Sequence, residues 1–187
     1  MSARLTESSP DQPGKRSSSL LNQERVGAGG KFLTFFLAGE EYGLEILKVQ
    51  EIIGVMPITR VPRTPSFIRG VINLRGKVIP VVDLRLKFGM DGIDQTDETC
   101  IIVVRAQGIE MGIIVDKVSE VLDIAAADID DTPSFGIEVD TDYILGIGKS
   151  AGRVRILLDI DKVLSAQEVI KIHSATGEDG NTNAEAA

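Results

Sequence analysis

An internal duplication limits more than any other feature what this chain can fold into. Residues 31–55 lie over 100–124 without a gap at a shift of 69, with Gly39/Gly108, Glu41/Glu110, Gly43/Gly112, Lys48/Lys117, Val49/Val118 and Glu51/Glu120 identical. Residues 67–88 lie over 143–164 at a shift of 76, with Ile68/Ile144, Gly70/Gly146, Gly76/Gly152, Val78/Val154 and Asp83/Asp159 identical and most other pairs apolar on apolar. Roughly one or two identities per window would arise by chance at ordinary composition. The chain therefore carries two copies of one small unit, about 32–88 and 101–164, and the second has seven extra residues (76 minus 69) in its middle connection.

Both copies read as β structure. The runs FLTFFLAG, EEYGLEI, GVINL and KVIPVVDL in the first, and CIIVV, MGIIVD, YILGIG and RVRILLDI in the second, are short and rich in Val, Ile and Phe. Gly, Pro or acidic turns separate them, which is the pattern of strands and hairpins. About five strands per copy suits a small barrel, because closure removes exposed edges. Each copy is near the lower size limit for independent folding, so the two are expected to share an interface. Residues 1–30 and 177–187 lack apolar periodicity and read as a disordered N-terminal tail and a disordered acidic C-terminal tail. Over 165–176 a helix is predicted, with Ser165 and Glu168 at capping-box spacing and Ala166, Val169, Ile170 and His173 on one face.

Composition then removes function classes. A single cysteine, Cys100, cannot form an internal disulfide, and a single histidine, His173, removes most metal sites and any catalytic set needing a second histidine. No metal and no cofactor is expected, and no GxGxxG, P-loop, GxSxG, HExxH or kinase signature occurs. The net charge of -8 and the absence of tryptophan argue against nucleic acid. No apolar run approaches the roughly 20 residues of a membrane span, so a cytoplasmic protein without direct membrane insertion is expected.

The duplication also works as an internal control. Glycines at matched turn positions are structural. Asp83 and Asp159 each close a strand before a short helical segment, and N-capping is the plain reading. The sharper reading is a carboxylate dyad of a hydrolase. Against it, Leu84 and Ile160 follow the aspartates, where such a dyad has Thr/Ser-Gly. Arg75, in NLRG, falls on Ala151, so the fold does not require an arginine at that turn. It is either solvated or recognises a carboxylate, on Glu51 within the chain or on a partner. Phe135, in the extra segment DDTPSFGIEVD, has no counterpart because Phe67 aligns with Tyr143. It either folds back on the core or anchors another protein.

The segments EEYGLEILKVQEI, TPSFIRGVINLRGKVIPVVDLRLKF and GIIVDKVSEVL closely resemble the CheW family of bacterial chemotaxis coupling proteins, from about Phe32 to the C-terminal helix. The resemblance implies a mainly β fold of two pseudo-symmetric, five-stranded SH3-like barrels with short helices and a C-terminal helix. The CheW-like domain would span 31–164, with the first barrel at about 32–88, the second at about 101–164, and the termini crossing over. The function implied is a non-enzymatic adaptor between the helical hairpin tip of chemoreceptors and the regulatory domain of the CheA histidine kinase. Such an adaptor is recruited to membrane-bound receptor arrays and capable of self-association in rings. By the same resemblance Glu51 and Arg75 are surface positions, Val49, Ile46, Arg69 and Gly70 fall in the receptor- and kinase-contacting region, and Phe135 is the ring contact. Ile53 stands where the family often has a basic residue. An adaptor of a non-flagellar pathway, for pili or biofilm, is the alternative within the family. Tails at both ends are expected of a single complete protein rather than of a kinase fragment or a receiver fusion.

Overall fold

The computed structural model describes residues 29–134 and 141–176. The segment 177–187, Phe135, and all but the last two residues of 1–30 lie outside the described residues. The first copy forms β1 (Gly30–Leu37), β2 (Glu40–Glu45), β3 (Val49–Gly54), β4 (Ile68–Leu74), β5 (Lys77–Asp83) and a one-turn helix α1 (Leu84–Lys87). The second forms β6 (Cys100–Ala106), β7 (Ile109–Val115), β8 (Lys117–Ile124), β9 (Ile129–Asp130), β10 (Ile144–Ser150), β11 (Arg153–Leu158) and α2 (Ile160–Val163), followed by α3 (Ala166–Thr176). The eight apolar runs named above fall on strands. Strands β3 and β8 escaped that reading because every second residue is polar or exposed, and both lie at sheet edges.

The strands form a six-stranded sheet, in the order β8-β1-β2-β11-β10-β9, and a five-stranded sheet, in the order β3-β6-β7-β5-β4. The fold is thus mainly β and built as two SH3-like barrels, but the boundaries 32–88 and 101–164 do not separate them. Each copy gives its first hairpin to one sheet and its remaining strands to the other. The exchange is sealed by two parallel pairings, β11 on β2 and β5 on β7, which occupy matched positions. The sixth strand, β9, matches an isolated bridge between Thr59 and Val71 on the other sheet.

Four hairpins have the same turn. Positive φ occurs at both central residues of Ala38-Gly39 (51° and 83°), Arg75-Gly76 (52° and 84°), Gln107-Gly108 (49° and 79°) and Ala151-Gly152 (50° and 73°). This is the type I′ signature, whose twist matches that of the strands it joins. The first position is left-handed in every case, so the backbone asks for nothing that only arginine supplies.

Each barrel has a small private core: Ile72, Ile79, Val81, Ile101, Val103 and Ile114 in the five-stranded sheet, and Phe32, Ile124 and Leu157 in the six-stranded one. The largest buried cluster draws on both sheets and α3, with Phe35, Leu44, Val82, Ile113, Leu158 and Ile172 among its members. Most apolar burial therefore depends on both barrels being present. A ring series crosses the same region, Phe35 to Tyr42 to Phe88 to Tyr143, with centroids 5.9, 6.1 and 4.9 Å apart. Arg85 of α1 forks Asp116, Nε to Oδ1 at 2.7 Å and Nη2 to Oδ2 at 2.6 Å, while the Ala38 N–H donates to the same carboxylate at 2.8 Å. Burial opposes the charge on Asp116, but the Arg85 hydrogen bonds, the Ala38 N–H and the guanidinium charge outweigh it and hold this carboxyl below its ordinary range.

The capping box of α3 is reciprocal: the Ser165 N–H donates to Glu168 and the Glu168 N–H to Ser165. Its buried face is Val169 and Ile172, whereas Ala166 and Ile170 are exposed. The face grouping expected from the sequence is therefore displaced, because α3 docks on β5 beside Pro80 and Ile109 and that surface selects Ile172.

Candidate functional site

Glu51 lies on β3 and Arg75 at the β4–β5 turn, which belong to opposite edges of the five-stranded sheet. Curling of the sheet brings them together. Arg75 Nη2 lies 2.7 and 2.6 Å from the two carboxylate oxygens of Glu51, and Nη1 lies 3.1 and 3.2 Å from them. The pair closes the seam of the barrel at its rim. The Arg75 side chain remains 66% exposed and that of Glu51 32%, so solvent screening leaves the pair about 0–1 kcal/mol of stability. Its geometric effect is larger than its energetic one, since a forked pair fixes the orientation of both side chains.

The remaining residues implied by the resemblance do not form one patch. Ile46 and Val49 are half-buried and pack against the shared core. The apolar side chain that projects from this segment is Leu47, 91% exposed. Ile52 on β3 and Val78 on β5 are exposed as well. These three were missed because an isolated apolar residue in a strand-like run reads as core, and only the fold shows which side is covered.

Arg69 sits near the far end of β4, six residues and therefore roughly 20 Å from Arg75 along the strand. It lines a groove of about 720 Å³ with Val55, Met56, Ile58, Arg60 and Leu86, and its Nη1 is 3.6 Å from Asp83. Gly70 is buried and has a φ of 139°; a Cβ there would collide with the Thr59 carbonyl oxygen. Its backbone allows the bridge in which Thr59 and Val71 exchange N–H···O bonds of 2.9 and 2.8 Å. Gly146, at the matched position, is hemmed in less severely: its φ is ordinary, and a Cβ would lie 2.8 Å from the Ile129 Cγ2 methyl and 2.9 Å from the Asp130 carbonyl oxygen. Gly70 therefore shapes the groove from behind and presents no surface to a partner.

Asp83 accepts from the Leu86 N–H at 3.3 Å and Asp159 from the Asp161 N–H at 3.1 Å, so both cap the helices that follow. No hydrogen bond joins the two carboxylates, and they terminate strands of different sheets. The dyad arrangement is not formed. Among the described residues no group of His, Cys, Asp and Glu is placed to hold a metal ion, and no helix is long and apolar enough to cross a membrane. Burial raises the Cys100 thiol above its ordinary pKa, which leaves it a poor nucleophile.

A family model described as a CheW-like domain matches residues 31–168. The chain is 44% identical over 156 residues to the chemotaxis protein CheW of Klebsiella aerogenes, covering 83% of this chain and 93% of that protein. It is 36% identical over 143 residues to the chemotaxis protein CheW of Bacillus subtilis, covering 76% and 91%. The crystal structure of the scaffolding protein TtCheW from Thermoanaerobacter tengcongensis superposes with a TM-score of 0.68 at 37% identity, over 75% of this chain and 95% of that one. The duplicated β unit, the two interlocked barrels and these likenesses agree, and the chain belongs to the CheW family.

Proposed function

We propose that the protein is a non-enzymatic adaptor that couples methyl-accepting chemoreceptors to the CheA histidine kinase in cytoplasmic signalling arrays. The observation that carries this reading is the forked Arg75–Glu51 pair, present on one barrel and absent from its duplicate, in a chain of a coupling-protein family. Three exposed apolar residues lie close to the fork in sequence: Leu47 and Ile52 on either side of Glu51, and Val78 three residues after Arg75. A receptor helical hairpin is an amphipathic partner that suits such a face, its apolar stripe meeting these side chains and its polar flank meeting the fork. The regulatory domain of the kinase is the second partner. Two unlike barrel faces on one body permit heterologous contacts, which close into rings when the rotation allows. Phe135 is the proposed ring contact. Signalling then requires only that each contact carry a binding free energy and that the two be coupled.

The test is a pull-down of wild type and Arg75→Glu with the receptor cytoplasmic fragment and CheA, reading kinase autophosphorylation in the reconstituted mixture. Wild type should couple kinase activity to receptor and the variant should not. Charge reversal that leaves binding and activation intact would remove Arg75 from the interface.

A further inference from the structure

We infer that Lys48, Asp161 and Gln107 are positioning residues, forming a clasp that fixes the short β2–β3 crossover and thereby sets Glu51 and Val49 for a partner the clasp does not touch. The inference rests on the first-barrel face being the partner face, as proposed above.

The crossover is a single 3-10 turn, Ile46–Lys48, that leaves one sheet and enters the other. It contains no fully buried residue and no side-chain cap, and its central residue Leu47 points to solvent. Packing restrains the entry of this turn, through Ile46 against the shared core, but not the exposed Leu47 that follows. Its far end is held by Lys48, whose Nζ donates to Asp161 Oδ2 at 2.6 Å. The other oxygen, Asp161 Oδ1, accepts from the Gln107 N–H at 2.8 Å. The Gln107 amide then donates to the Asp161 carbonyl at 2.6 Å and the Leu164 carbonyl at 2.9 Å. The crossover, the β6–β7 turn and the end of α2 are thus tied at one carboxylate. Glu51 follows Lys48 by three residues on β3.

The duplicate supplies the control. Ala38 matches Gln107, Arg85 matches Asp161, and Asp116, in the β7–β8 crossover, matches Leu47 beside Lys48. There too a turn N–H and a side-chain cation converge on one carboxylate, Asp116, but the acid lies in the crossover and the base in the helix. Both junctions have the same geometry with the polarity reversed. What the fold retains is the tie, and either sign order satisfies it. Only one of the two crossovers leads into a strand whose glutamate is forked by an arginine.

The test uses the full chain with Lys48→Met, and with the conservative Lys48→Arg. Two readouts are followed: amide hydrogen exchange across 49–54 in the protein alone, and affinity for a receptor cytoplasmic fragment. In Lys48→Met the exchange should quicken and affinity should fall about three- to tenfold, although Arg75 and Glu51 are unaltered and the melting temperature is nearly so. Lys48→Arg, which keeps a cation for Asp161 and leaves the Gln107 N–H its acceptor, should hold both near wild type. Unchanged exchange in Lys48→Met, or a Lys48→Arg that behaves as badly as Lys48→Met in both readouts, overturns the clasp. If wild type fails to bind the fragment while exchange responds as expected, the clasp stands and the assignment of the partner face falls.

Discussion

The two barrels share turns, register and capping aspartates, yet differ in where they place charge. In the six-stranded sheet Arg155 is buried, its Nε 3.0 Å from Glu41 Oε2 in an ion pair without a linear hydrogen bond, while its Nη1 donates to the Ser150 carbonyl at 3.0 Å. The matched position in the five-stranded sheet is Ile79, part of that barrel's private apolar core, and the matched acid Glu110 turns outward to Lys77. At the rim the order is inverted. The five-stranded sheet carries the exposed Arg75–Glu51 fork, and the six-stranded sheet has Ala151 with Glu120. Charge was placed inside one barrel and outside the other on the same backbone. A fold of this kind fixes where polar pairs can form without fixing which are used.

The largest effect should come from breaking the buried pair. Arg155→Met leaves Glu41 without its cation and should cost about 3–5 kcal/mol in urea denaturation, whereas Lys77→Met should cost less than about 1 kcal/mol because its pair is solvated. Equal losses would show that burial does not distinguish the two. Next come the glycines behind the bridges. Gly70→Ala, opposed by both its positive φ and the Thr59 carbonyl, should cost about 2–4 kcal/mol. Gly146→Ala should cost less, since its φ is ordinary and the nearest obstacle is the Ile129 methyl, while Gly76→Ala, with open space at its Cβ, should cost about 1 kcal/mol. Equal losses at Gly70 and Gly146 in thermal melts would show that the bridge alone, and not the backbone angle, sets the cost.

Acid titration sharpens the junctions. The folded pKa of Asp116 lies below its ordinary 3.8, so its contribution is complete above that value and is lost as pH falls through the folded pKa. Glu168 behaves alike below 4.5: burial opposes its charge, but the Lys87 hydrogen bond and the Ser165 N–H prevail. Asp116→Asn should be less stable by about 1 kcal/mol at neutral pH, with the difference from wild type closing below pH 3.8. A gap that persists undiminished at lower pH would assign the effect to shape. The smallest effect is expected from Ala151→Arg, which offers Glu120 the missing fork and should change stability by less than about 1 kcal/mol. A crystal structure or NMR shift of Glu120 would show whether the pair forms, and its absence would mean that the two seams close differently.

Much of the architecture was legible in the chain. The shift of 69 placed the hairpin glycines Gly39 and Gly108, and the shift of 76 placed Gly76 and Gly152 and paired Phe67 with Tyr143. These two residues act alike in the fold, since their carbonyls accept from the Asp83 and Asp159 N–H groups at 2.8 Å. Capping by both aspartates and by Ser165 with Glu168 was legible because caps act within one turn of chain. Arg75 stood out because its duplicate is alanine, and Glu51 was the right acid. Gln107 was not legible, since a glutamine at a turn has no periodic signature and its partners lie more than fifty residues away.

The sequence by itself determined most of the elements, the turn positions and the existence of two like units, because those rest on local preferences and on side chains a few residues apart. Only the tertiary structure decided which unit each strand joins. The copies are similar enough that β2 could face β5 or β11 by pattern alone, and long-range parallel pairing, the shared core and the junction ion pairs select the exchange. Which exposed residues became a face was decided there as well, since exposure depends on what the other copy covers.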